Sequence, residues 1–173
     1  MNISVTKIEA ARRQLNEAIR LWFFDGDPIA IHSLACSAHQ IVHDINQRQG
    51  WRDLLYDSLI IKDEYRKEWA KKLKTPFNFL KHADNDPTGV LEFKTEMTEL
   101  FIFYTLFGLE LIGQKHDDIG GAFIIYLNFH RPELLTEKGK LEFYGKFSEE
   151  TVEIGRSLSK EDFFNFYIKL KSR

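Results

Sequence analysis

Two groups of residues in this chain have the types and spacing that chemistry needs. The first is His32, Cys36, His39 and His43, which recur at i, i+4, i+7 and i+11 and therefore share one stripe of a helix. His39 and His43 are a His-x-x-x-His pair, the spacing that offers two imidazoles to one metal ion. Cys36 or a carboxylate from a neighbouring helix can complete such a site. The structural alternative is a set of packed, hydrogen-bonded histidines on a crowded helix. Position 40 is Gln, so the Glu of a zinc hydrolase His-Glu-x-x-His is missing.

The second group lies between Thr75 and Gly89. His82 is a candidate general acid/base, Lys81 a candidate phosphate ligand, and Asn78, one helical turn back, a candidate to orient the reacting group. Lys74 upstream and Asp84 and Asp86 downstream are the candidate substrate contacts, the two carboxylates through a divalent cation. Helix-end chemistry explains the same residues. Lys81 and His82 complement the negative end of a helix dipole, and Asp84, Asp86, Pro87 and Gly89 are turn formers. Just upstream, Lys62 to Lys74 is basic with Tyr65 and Trp69 interleaved, a pattern that steers RNA or is simply a solvated helix.

Composition narrows the classes. The chain has 173 residues, 43% hydrophobic and 29% charged, which is ordinary globular composition with enough length for a sizeable core. A formal net charge of -2 argues against a general nucleic-acid or membrane-surface binder. The single cysteine, Cys36, leaves no internal disulfide and suits a reducing compartment. The opening Met1-Asn2-Ile3-Ser4 leads directly into a charged helical pattern, so no signal peptide is expected and the expected location is cytoplasmic. Leu100 to Leu109 is too short an apolar run for a membrane span. No Gly-rich phosphate loop, Ser/His/Asp ordering cue or Cys-x-x-Cys is present, and no cofactor is implied. Fifteen Phe and three Trp are a heavy aromatic load, pointing to a subunit interface as well as a core.

Helices must position both groups. Thr6-Lys7-Ile8-Glu9 has capping-box spacing, and Ile8, Ala11, Leu15, Ile19 and Trp22 then recur at helical intervals, predicting a helix over Lys7 to Phe23. Asp27 and Pro28 start a second, predicted to Gln47, with Ile31, Leu34, Ala35, Ala38, Ile41, Val42 and Ile45 as its main apolar stripe. Between Pro28 and Asn46 there is no Lys, Arg or Glu, so this helix should be central and contacted on several sides. A short helix is predicted over Trp51 to Ile61, with Leu54, Leu55, Leu59 and Ile60 inward, and another over Asp63 to Lys74. Thr75-Pro76 should restart a further helix through His82. Glu96 to Ile112 reads as a helix apolar on nearly every face, either core or dimer seam. Asp117-Asp118 begins a helix to Phe129, although Ala122 to Phe129 also reads as a buried strand. Ser148 and Ser159 are further caps.

Asp27 to Ala38 (DPIAIHSLACSA) and Asn78 to Pro87 (NFLKHADNDP) resemble segments of a group of small bacterial helical proteins, which implies a helical fold. A more distant resemblance is to HEPN-type helical bundles, which dimerise and often cleave RNA or act as toxins paired with antitoxins. Their nuclease motif is an Arg followed four to six residues later by His, usually with a polar residue after the Arg. Asn78 and His82 match the polar residue and the His, position 77 is Phe, and Lys81 or Lys74 is the cation available to a phosphate. The expectation is therefore an all-α, HEPN-like bundle of about six to eight helices forming a single domain, with residues 28–47 central. Expected partners are a second copy of the chain, with RNA or a protein as a further partner and no membrane. Self-association or partner binding is the leading function. A ribonuclease centred on His82 and a metal-binding bundle using His39 and His43 are the alternatives.

Overall fold

The computed structural model describes residues 2–51, 54–58, 61–84 and 86–172. Among its described residues the regular secondary structure is entirely helical, with eight α-helices and no strand. They are α1 (Lys7–Phe23), α2 (Pro28–Arg48), α3 (Asp63–Lys81), α4 (Met97–Leu111), α5 (Asp118–His130), α6 (Glu137–Tyr144), α7 (Glu149–Ser157) and α8 (Lys160–Lys171), with a 3-10 turn at Pro132–Leu134. The chain forms two compact units, one ending at Lys115 and the other beginning at His116.

Local chemistry sets most helix starts. The Thr6 hydroxyl accepts from the Glu9 N–H at 3.2 Å while the Glu9 carboxylate accepts from the Thr6 N–H at 2.7 Å, closing the capping box of α1. The Asp27 carboxylate accepts from the Ala30 N–H, and Pro28 occupies the first turn of α2. Asp117, Ser148 and Ser159 cap α5, α7 and α8 in the same way. The segment 122–129, legible as a strand, is helical throughout.

In the first unit α2 is the central element: α1, α3 and α4 all pack against it. Ala11, Leu15, Ile19 and Phe23 of α1 and Ala35, Ala38 and Val42 of α2 are all buried, and the two helices pack together. Gly108 lets α4 approach closely, since a Cβ there would stand 2.6 Å from Val42 Cγ1. The gap also lets Asn46 Nδ2 donate to the carbonyls of both Val42 and Gly108 at 2.9 Å, tying the two helices by backbone.

Two expected elements differ. Over Trp51 to Ile61 the described residues 54–57 form a turn, not a helix, in which Asp57 accepts from the Leu54 N–H at 3.0 Å. Leu54, Leu55 and Tyr56 are buried there as expected for an inward face; Arg52, Asp53, Leu59 and Ile60 lie outside the described residues. Thr75-Pro76 restarts nothing. One helix, α3, runs through Pro76, and the Thr75 hydroxyl donates to the Lys71 carbonyl at 2.9 Å instead of capping. Pro76 removes one helical N–H, but Leu73 and Phe77 are buried on either side and hold the helix in line.

The second unit is organised on Phe129. Its ring meets Phe143, Phe147 and Phe163 edge-on, and Gly155 of α7 leaves room for it, a Cβ there falling 2.5 Å from the ring. Arg156 donates through Nε to the Phe129 carbonyl at 2.8 Å, and Tyr144 donates to the Asn128 carbonyl at 2.6 Å.

Candidate functional site

The histidine stripe does not converge on one point. The ring of Phe101, fully buried on α4, stands edge-on to His32 and to His39, 5.3 Å from each, and divides the stripe into two pairs. On one side His32 is satisfied: Nδ1 shares a hydrogen bond with the Thr98 hydroxyl at 3.0 Å, and Nε2 lies 3.3 Å from Cys36 Sγ. Burial alone lowers the His32 pKa from 6.5 to about 4, so the ring is neutral. Burial likewise pushes the Cys36 thiol well above its ordinary range, making it a poor nucleophile.

The other pair is different. His39 is wholly buried and His43 nearly so, with ring centroids 5.9 Å apart and the rings stacked. Tyr56 packs edge-on against both, at 4.5 and 5.1 Å. Among the described residues, no hydrogen-bond partner meets either ring nitrogen of His39, either ring nitrogen of His43, or the Tyr56 hydroxyl. The closest approaches to His43 are carboxylates just beyond bonding range, Asp57 Oδ2 at 3.6 Å from Nε2 and Asp44 Oδ1 at 3.7 Å from Nδ1. Burial first, then the charges of His43 and Lys74, lowers the His39 pKa to about 3. Burial, with smaller contributions from Cys36 and Asp44, raises that of Tyr56. Leaving five buried polar atoms of three neighbouring side chains unpaired is costly, on the order of 1–3 kcal/mol each, and demands a physical reason.

Lys74 belongs to this cluster rather than to the His82 group. Its ammonium sits 4.3 Å from the centre of the Tyr56 ring, and it lies two turns back from His82 on α3. Asn78, Lys81 and His82 stay together at the C-terminal end of α3, and all three are exposed. The His82 N–H donates to the Asn78 carbonyl at 3.0 Å, and the Lys81 ammonium lies over the Phe77 ring at 4.6 Å. Asp84 and Asp86 follow in the exposed turn, where the Gly89 N–H donates to the Asp86 carbonyl. The basic stretch before them offers an open groove lined by Lys62, Tyr65, Trp69 and Lys72. Within it Glu68 pairs with Lys72 at 2.9 Å, and Trp69 Nε1 donates to the Leu55 carbonyl.

Tyr56 and Asp57 were not legible as partners of His39 and His43. They stand in a different segment, and no spacing in the chain links them to α2. Among the described residues no three His, Cys, Asp or Glu side chains are gathered as a ready-made metal cage. No described helix is long and apolar enough to cross a membrane. The chain matches no known family model, no curated protein and no solved structure.

Proposed function

We propose that this chain is a binding protein that works as a self-associated pair, a second copy packing on the outer face of α4. The observation that carries this is the distribution of apolar residues round that helix. Thr98, Phe101, Ile102, Thr105, Leu106 and Leu109 are buried on one side. On the opposite side, where a surface helix is ordinarily polar, stand Leu100, Phe103, Tyr104, Phe107 and Leu111, none of them buried and Phe107 36% exposed. The stripe is continuous along three turns, roughly 16 Å, which suits one partner helix. Glu99 and Glu110 border it along one edge; a second copy offers the same apolar surface, and two-fold pairing of like patches is the commonest form of association.

Sedimentation velocity over a range of concentrations tests the reading. The wild-type chain should sediment as a dimer, and Phe107→Glu should weaken the pairing by roughly 10- to 100-fold while leaving the helical circular dichroism unchanged. A wild-type chain that stays monomeric, or a dimer indifferent to both Phe107→Glu and Phe103→Glu, defeats it.

A further inference from the structure

We propose that the turn at residues 54–57 and helix α3 form one opening unit, which lifts off α2 while α1, α2 and α4 stay folded, and so brings His39, His43 and Tyr56 into solvent. The inference does not rest on self-association. It starts from the uneven way the first unit is held together. α1, α2 and α4 bury six or more residues apiece, whereas α3, with 19 residues, buries only Leu73 and Phe77. A helix owes most of its stability to its buried face, so the helix with the smallest one opens first.

Two side-chain contacts fasten α3 to the turn. The Trp69 indole N–H donates to the Leu55 carbonyl at 2.8 Å, and the Lys74 ammonium lies 4.3 Å from the centre of the Tyr56 ring. The Arg66 guanidinium also reaches back to the Ile61 carbonyl, at 3.1 Å, in the connection between the two elements. The turn therefore cannot lift without loosening α3, and the two open together.

The turn is seated by Leu54, Leu55 and Tyr56, all buried, with Leu54 against Gly108 of α4. Against this stands what it covers. The Tyr56 hydroxyl and the four ring nitrogens of His39 and His43 are buried with no hydrogen-bond partner among the described residues. Tyr56 packs edge-on on both imidazoles, at 4.5 and 5.1 Å, so lifting the turn is what uncovers them. An unpaired polar atom offsets much of what one buried apolar side chain contributes. Five such atoms beneath three apolar side chains leave the closed state little margin, and water pairs all five once the turn lifts. The unpaired atoms are thus what keeps the cover removable. The His32–Cys36 pair, satisfied beyond Phe101, takes no part.

Native-state hydrogen exchange of the full chain, followed by NMR at one protein concentration in low denaturant, tests this. The amides of α3 and of the turn, and the Trp69 indole N–H, should share one protection factor, roughly 100-fold or more below that of Ala35 and Val42 in α2. Tyr56→Phe deletes one unpaired atom without adding bulk, and should raise the shared protection by roughly fivefold. Trp69→Phe removes the bond to the Leu55 carbonyl, and should lower the protection of α3 and the turn together by roughly tenfold. Three results overturn the proposal. The first is α3 and the turn exchanging only with the unfolding of α2, and the second is either of them exchanging or responding to Trp69→Phe without the other. The third is Tyr56→Phe failing to raise the protection, which would mean that buried water already pairs the hydroxyl.

Discussion

The His39–His43–Tyr56 cluster, with Lys74 over the Tyr56 ring, and the Asn78–Lys81–His82 group each combine imidazole with a lysine ammonium and stand in opposite environments. At the end of α3, water reaches all three side chains, and each can be hydrogen-bonded there without help from the fold. Beside α2, water is excluded, and five polar atoms have no hydrogen-bond partner among the described residues. The difference teaches that an exposed His beside a Lys costs the fold nothing and so says little. A buried, unpaired His is sustained against a penalty, and the penalty itself points to a task.

The comparison can be broken most forcefully at Phe101, the ring that separates the two histidine pairs. Phe101→Ala should destabilise the chain by about 3–5 kcal/mol in urea denaturation, because it removes a fully buried aromatic from the α2–α4 seam. A loss below about 1 kcal/mol would mean that the seam is not packed as described.

Acid sharpens the contrast next. His32 titrates near 4 in the folded chain against 6.5 when unfolded, so below about pH 6.5 the unfolded state binds the extra proton. Its contribution is fully present above pH 7 and is lost as the pH falls toward 4, by up to about 3 kcal/mol. The groups packed on His32 are Thr98, Phe93, Phe101 and Cys36, so no carboxylate among these contacts offsets the loss. Urea denaturation between pH 4 and 7 should show a shallower pH dependence for His32→Gln than for the wild type; identical slopes would contradict the burial of His32.

The smallest effect belongs to the exposed group. His82→Ala should change stability by less than about 0.5 kcal/mol by the same measurement. A larger loss would show that His82 makes contacts its exposed position does not suggest.

Helix ends were legible because capping is local. The Thr6–Glu9 box, Asp27–Pro28, Asp117, Ser148 and Ser159 each act within one turn, and each begins the helix it signals. Pro76 misled for the same reason: its local message is to stop, but Leu73 and Phe77 are buried on either side of it, and packing prevailed. The segment 51–61 misled by composition, since inward leucines at helical spacing serve a buried turn equally well.

By itself, then, the sequence determined an all-helical chain, the position of α2 at the centre of its unit, and a histidine stripe along that helix. These follow from 3.6-residue periodicity and from the near absence of charge between Pro28 and Asn46. Only the tertiary structure decided that Phe101 splits the stripe, that Lys74 joins His39 rather than His82, and that Tyr56 and Asp57 stand beside His43. Those relations join segments distant in the chain, and they depend on which side chains end up without water, which only packing determines.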